Sequence, residues 1–217
     1  YNKKTGVLQA FSDQPIRVEN KALGYDLDYY LESFIVDYRK GLVSYYGFTQ
    51  FKDSKKKNAS KKKFIRSREK AYAGSREHFF KSLYNDKLVE QGFEVMLAKD
   101  VEGLGRVVTA RHVDLSDSLV QGATSISKSL GFEDFVYITY TKEKESIEYA
   151  MQANGSLQDP VKGQDRQQSW IKLFSEEPIS FEKSGYVINP VSFLSNGYWG
   201  FEKVAEMLPT NYESIAH

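Results

Sequence analysis

The sequence predicts an α+β fold, mainly antiparallel β-sheet, with a helical pair inserted after an N-terminal meander and a short C-terminal helix. Three observations carry this expectation. Apolar and polar residues alternate at period 2 in many short stretches, the signature of half-buried strands. The chain is rich in aromatics, with 15 Tyr and 14 Phe, and Tyr suits strand faces because its ring packs while its hydroxyl stays hydrated. From about residue 61 to residue 91 the apolar period lengthens to that of a helix.

The elements follow in order. "GVLQAF" and "IRVEN" read as short strands separated by the turn-like "SDQP". In "LGYDLDYYL", Leu23, Tyr25, Leu27, Tyr29 and Leu31 alternate with positions that include Asp26 and Asp28, which predicts a half-buried strand. "FIVDY" and "LVSYYGF" are joined by Arg39-Lys40-Gly41, as expected of a hairpin with a glycine at positive φ. A helix is predicted over 61–73, with Phe64, Ile65 and Tyr72 on its inner side. After Gly74, Ser75 is placed to cap a second helix whose first turn carries Glu77. Phe79, Phe80, Leu83, Tyr84 and Leu88 then share one stripe, and Gly92 stands where a C-terminal glycine belongs.

"FEVML" returns to strand, and "RVVTARHVDL", "DFVYITYT", "SIEYAM", "SWIKLF", "ISFEK" and "YVIN" continue it. "TSISKSLG" fits a loop and a short strand equally well, and "NGSLQDPVKGQDRQQ" reads as a polar connecting loop. Phe201, Val204, Ala205 and Leu208 fall at i, i+3, i+4 and i+7 before Pro209, which predicts a short amphipathic helix. With no internal repeat, the order implies one domain over 1–217: a meander (1–52), a basic lead-in with the helical pair (53–92), and a β-rich part (93–217).

Charge is unevenly placed. From Lys52 to Lys70 there are ten Lys or Arg against Asp53 and Glu69, a local +8, so a chain of net charge +1 carries −7 elsewhere. A protein that grips a phosphate backbone spreads positive charge over a face of its fold, and no recognisable module accompanies this run, so nucleic acid is not an expected partner. Lys55, Lys56, Lys57, Lys61, Lys62 and Lys63 read first as a solvated, like-charged lead-in to a helix. Contact with an anionic membrane surface is the second reading. Asn58-Ala59-Ser60 within the run matches a glycosylation triplet.

There is no cysteine, which excludes disulfides and thiolate metal sites. The apolar runs are too short for a transmembrane helix. The chain opens on Tyr1 rather than Met, as a processed product or a piece cut from a longer chain would, so a missing leader says nothing about export.

Motifs for chemistry are sparse. His78, His112 and His217 lack paired-ligand spacing and read as structural, so no metal or other cofactor is expected. No nucleophile elbow is present, Ser75 reads as a cap, and "GLGR" at residues 103–106 reads as a turn. Asp26, Asp28, Glu32 and Asp37 read as the solvated face of the meander rather than a catalytic pair. Trp170, Tyr198 and Trp199 are the candidate ligand-binding residues, as flat platforms for a sugar or peptide; the competing reading of all three is core.

Three segments carry a resemblance: "PIRVENKALGYDLDYYLESFIVDYRKGLVSYYGFTQF", "SREKAYAGSREHFFKSLYNDKLVEQGFEV" and "GYWGFEKVAEMLPTNYE". They resemble the region downstream of the regulatory-like β-sandwich in Bacteroidota envelope proteins labelled carboxypeptidase-like regulatory-domain-containing. The resemblance implies export to the periplasm or the outer-membrane surface. It implies no peptidase activity, since that label describes the β-sandwich, and no catalytic residues come with it. The expected function is a non-catalytic binding or scaffolding module with a glycan, peptide or outer-membrane protein as partner. The alternative is a hydrolase of polysaccharide or peptide that uses a facing carboxylate pair.

Overall fold

The computed structural model describes residues 1–53, 61–115, 120–122, 126–154, 166–202 and 204–215. It is mostly antiparallel sheet with helices, the α+β class that the alternating pattern predicts. The chain forms two compact units: Tyr1–Lys70 together with Met207–His217, and Ala71–Glu206.

The first unit is built on one long strand. β1 (Val7–Ala10), β2 (Ile16–Asn20), β3 (Tyr25–Asp37) and β4 (Leu42–Asp53) form an antiparallel sheet. The sequence shows two apolar stretches across β3. The sheet joins them through a register shift between Leu31 and Ser33, which absorbs the break in alternation at Glu32. β4 lines one edge of β3, while β2 and β1 lie end to end on the other, against Tyr25–Tyr29 and Phe34–Asp37. The predicted meander of successive neighbours therefore holds for β2, β3 and β4, while β1 pairs with β3.

Gly41 adopts φ +61° at the β3–β4 turn, where Asp37 accepts hydrogen bonds from the N–H groups of Arg39 and Lys40. Asp28 pairs with Lys52 at 2.9 Å and Arg17 at 3.6 Å, so these acids serve the sheet surface and its turn.

Tyr25, Leu27 and Tyr29 are buried, as their alternation predicts. α1 (Lys61–Tyr72) follows. Its Arg68 lies over the Tyr25 ring at 3.7 Å and donates from Nε to the Leu23 carbonyl at 2.8 Å. Gly24, at φ +70°, is required there, since a Cβ would stand 2.5 Å from the Phe64 ring. Lys61, Lys62 and Lys63 are exposed in a first turn that holds no acid, so the helix dipole gives them no stabilisation. Lys55, Lys56, Lys57 and the Asn58-Ala59-Ser60 triplet lie outside the described residues. Residues 207–215 close the unit at Glu69, whose carboxylate accepts from Tyr212 Oη, Ser214 Oγ and the Ile215 N–H.

The second unit begins with α2 (Arg76–Tyr84) and α3 (Leu88–Gln91). Ser75 caps α2 as its sequence predicts, its Oγ accepting from His78 N at 3.1 Å. The single predicted stripe is split because Asp86, at φ +57°, breaks the helix before Leu88; Gly92, at φ +90°, then ends α3. β5 (Phe93–Val101), β6 (Gly105–Arg111), β9 (Phe135–Lys144), β10 (Arg166–Leu173) and β12 (Phe193–Gly197) form a five-stranded sheet in the order β12-β10-β9-β5-β6. "GLGR" is the turn between β5 and β6, with Gly103 and Gly105 at positive φ. β7 (Val120–Gly122), β8 (Ser127–Leu130) and β11 (Ile179–Glu182) form a three-stranded sheet in the order β11-β8-β7.

Phe79, Phe80 and Leu83 of α2 are fully buried against Phe93, Val136, Ile171 and Phe181. His78 is buried beside them; its Nδ1 accepts from Gly74 N at 3.1 Å, and Nε2 lies 3.1 Å from Gln91 Oε1. That is a structural role.

Several expectations are corrected in this unit. "SIEYAM" is helical: α4 (Ile147–Asn154) starts there because Ser146 Oγ accepts from Tyr149 N at 3.2 Å, a local cap that overrides the strand-like alternation. "TSISKSLG" supplies β8. "YVIN" forms no strand and makes one bridge, Val187 to Phe181. The predicted short C-terminal helix is present but lies earlier: α5 (Tyr198–Phe201) ends at Glu202, whose ψ of 133° is extended, before a 3-10 turn at Val204–Glu206. Most of the polar connector lies outside the described residues, and its last three, from Arg166, already belong to β10.

Candidate functional site

Register decides what the outer face of the five-stranded sheet carries. Trp170 pairs across the ladder with Asn196 on β12 and with Tyr137 on β9. Strand period puts these three on one face, opposite Ile171, Val136 and Ile138, which enter the core. They wall a cleft of about 240 Å³, completed by Gln168, Ser169 and Gly197 and by Glu145 and Tyr149 at the start of α4. Gly197, at φ +74°, is needed for β12 to approach β10, since a Cβ would stand 2.4 Å from the Gln168 carbonyl. The walls thus combine three large aromatics with two planar amides and one carboxylate.

Beside Trp170 lies a cluster of rings and cations. Trp170 meets Phe135 edge-on at 5.4 Å between ring centroids. The Arg106 guanidinium lies 4.1 Å over Trp170 and 4.7 Å over Phe135, and its Nη1 donates to Tyr137 Oη at 3.3 Å. Lys172 Nζ lies 4.6 Å over Phe135. Asp100 stands between the two cations, 3.9 Å from Arg106 and 3.8 Å from Lys172.

The aromatics singled out by the sequence divide three ways. Trp170 lines the cleft. Tyr198 is buried behind it, packing edge-on against Tyr149 at 5.2 Å, and its hydroxyl hydrogen-bonds Ser146. Burial pushes its phenol up. Trp199 belongs to the core: it is 7% exposed, and its Nε1 donates to the Gly74 carbonyl at 2.8 Å. The glycines around "NGYWG" suggest a surface loop, but the turn of α5 directs the indole inward.

Tyr137, Tyr149, Gln168 and Asn196 escape the sequence reading. Alternation along β9 flags Tyr137 as outward-facing, but no local signal marks it as part of a cleft. Tyr149 is hidden by the strand reading of "SIEYAM".

Acid–base chemistry is limited. Among the described residues Glu145 is the one carboxylate lining the cleft. Glu202 lies outside the lining, and its carboxyl is pushed up to about 8 by burial and then by Glu77 and Glu206, opposed by Arg76. The folded unit therefore keeps a proton that the unfolded chain releases near its ordinary 4.5, so Glu202 costs stability progressively from pH 4.5 to 8. Glu202→Gln is expected to match the wild type at pH 4.5 and to exceed it by about 1–3 kcal/mol at pH 9. Urea unfolding at both values checks this; parallel wild-type and variant profiles would contradict it.

Among the described residues no group of three or more His, Asp or Glu side chains is arranged to hold a metal ion, and no helix is long and apolar enough to cross a membrane. No protein-family model, curated protein or solved structure matches the chain.

Proposed function

We propose that the protein is a non-catalytic glycan-binding module of a bacterial cell envelope, with the Trp170 cleft as its ligand site. The observation that carries this reading is the composition of the cleft walls. Trp170, Tyr137 and Tyr149 offer flat apolar surface to the C–H faces of a sugar ring, while Gln168, Asn196 and Glu145 offer planar donors and acceptors to its hydroxyls. Hydrolysis by the common two-carboxylate route needs a second acid facing the first, and among the described residues Glu145 is the one acid in the lining. The envelope location rests on the sequence resemblance.

The test is binding to an array of bacterial and plant oligosaccharides, followed by calorimetric titration of any hit. Wild type is expected to bind, and Trp170→Ala to lose at least ~10-fold in affinity, about 1.4 kcal/mol, as truncation of an aromatic anchor does. A folded wild type that binds no glycan overturns the reading. Release of reducing ends from a bound glycan would favour the hydrolase alternative instead.

A second reading, protein scaffolding, draws on the first unit. Tyr30 and Phe48, cross-strand partners on one face of the β3–β4 hairpin, are 43% and 51% exposed, and Tyr46 packs against Phe48, an apolar surface suited to an envelope protein partner. Recovery of a membrane protein that Phe48→Ser no longer captures would favour it.

A further inference from the structure

We infer that the ligand of the Trp170 cleft is an acidic glycan, and that Arg106, assisted by Lys172, receives a sugar carboxylate at the cleft wall. This inference rests on the glycan-binding reading above.

A guanidinium has five N–H donors in one plane and accepts nothing, so a ring stacked on its face leaves the in-plane donors available. Here the guanidinium carbon lies 4.1 Å from the Trp170 ring centroid and 4.7 Å from that of Phe135, two rings set nearly at right angles. One nitrogen donates to Tyr137 Oη, itself on the cleft wall. Among the described residues the carboxylate oxygen paired with it, from Asp100, is 3.9 Å from Nε, beyond direct hydrogen-bond distance. Arg106 thus lies against Trp170 just outside the residues that line the cleft, held by two rings and one hydroxyl, with N–H donors left over and a side chain 38% exposed. A planar fork fixed in advance suits bidentate binding of a carboxylate, because little side-chain freedom remains to be lost.

Lys172 supports the same reading. Its Nζ sits on the other ring of the stack, Phe135, and shares Asp100 with Arg106 at 3.8 Å. Two cations against one acid leave a positive balance beside the aromatic wall. Glu145 is the opposing term within the cleft. It keeps the site from being a general anion trap and requires the ligand's acid to be placed at the Arg106 wall. A sugar ring that stacks on Trp170 while its carboxylate meets Arg106 satisfies both conditions.

The experiment titrates wild type and variants with a defined uronic-acid oligosaccharide and with a neutral oligosaccharide of the same linkage. Wild type is expected to bind the acidic ligand at least tenfold more tightly, and the advantage is expected to shrink as salt rises from 50 to 500 mM. Arg106→Gln is expected to remove the preference while keeping residual binding of the neutral sugar. Arg106→Lys, which keeps the charge and loses the fork, should retain only part of it. Circular dichroism melting establishes that both variants fold, and Lys172→Gln gives a second test that leaves the Trp170 stack in place.

Equal affinity for the two ligands overturns the acidic assignment and leaves the glycan reading standing. An acid preference unchanged in both the Arg106→Gln and Lys172→Gln variants also overturns it. Binding of neither ligand class, with the broad array also blank, overturns both.

Discussion

Replacing Phe80 with alanine is expected to destabilise the second unit by about 3–5 kcal/mol. The ring is fully buried. It packs against Phe181 at 4.9 Å, Phe79 at 5.3 Å and Phe193 at 6.2 Å, so its removal opens a cavity walled by other large rings. Those neighbours come from α2, β11 and β12, elements anchored by separate hydrogen-bond networks, which limits how far they can collapse inward. The cavity term therefore adds to the lost transfer energy. Urea unfolding followed by far-ultraviolet circular dichroism measures the loss. A decrease below about 1 kcal/mol would mean that the site repacks as freely as a surface.

A methyl group at Gly185 is the second large effect, and it acts through the backbone. Gly185 sits at φ +88°, in the turn where its N–H donates to the Glu182 carbonyl at 2.9 Å. A Cβ there would lie 2.1 Å from the Glu77 carbonyl oxygen and 3.0 Å from Lys81 N, both backbone atoms of α2. A helix backbone cannot rotate aside as a side chain does, so the turn after β11 and α2 must separate. Gly185→Ala is expected to cost about 2–4 kcal/mol. Gly103→Ala is the control: φ is +77° but nothing lies within 4 Å of its Cβ, so only the left-handed backbone cost of about 1–2 kcal/mol applies. Equal losses at the two glycines would refute the steric account.

Much of the framework is legible in the sequence because its signals are local. Tyr25, Leu27 and Tyr29 are buried as their alternation requires, and Ser75 caps the helix that it introduces. The failures share a cause too. "SIEYAM" alternates like a strand, but the Ser146 hydroxyl reaches Tyr149 N and starts a helix, a contact that periodicity does not see. The stripe from Phe79 to Leu88 keeps helical spacing across Asp86, where the chain turns left-handed.

The cleft was legible only in part. Trp170 stands out as a rare aromatic, and its partners do not, because Tyr137, Asn196 and Glu145 come together through strand register and through a helix start. Trp199 shows the reverse error. Its surroundings in sequence suggest exposure, while its indole N–H is committed to a carbonyl 125 residues away.

The Glu69 clasp has a consequence for synthesis. The first unit is made of Tyr1–Lys70 and Met207–His217, with Ala71–Glu206 between them in the chain. On a ribosome, Glu69 emerges long before Tyr212 and Ser214, the hydroxyls that bind its carboxylate. At about 5–20 residues per second, the delay is on the order of ten seconds. During that interval the β3–β4 hairpin and α1 must persist with the clasp open, while all of the intervening unit is made. Residues 207–215 thus reach α1 only after the whole intervening unit has been made, and a chain stalled before Tyr212 would carry a finished second unit and an unlatched first one.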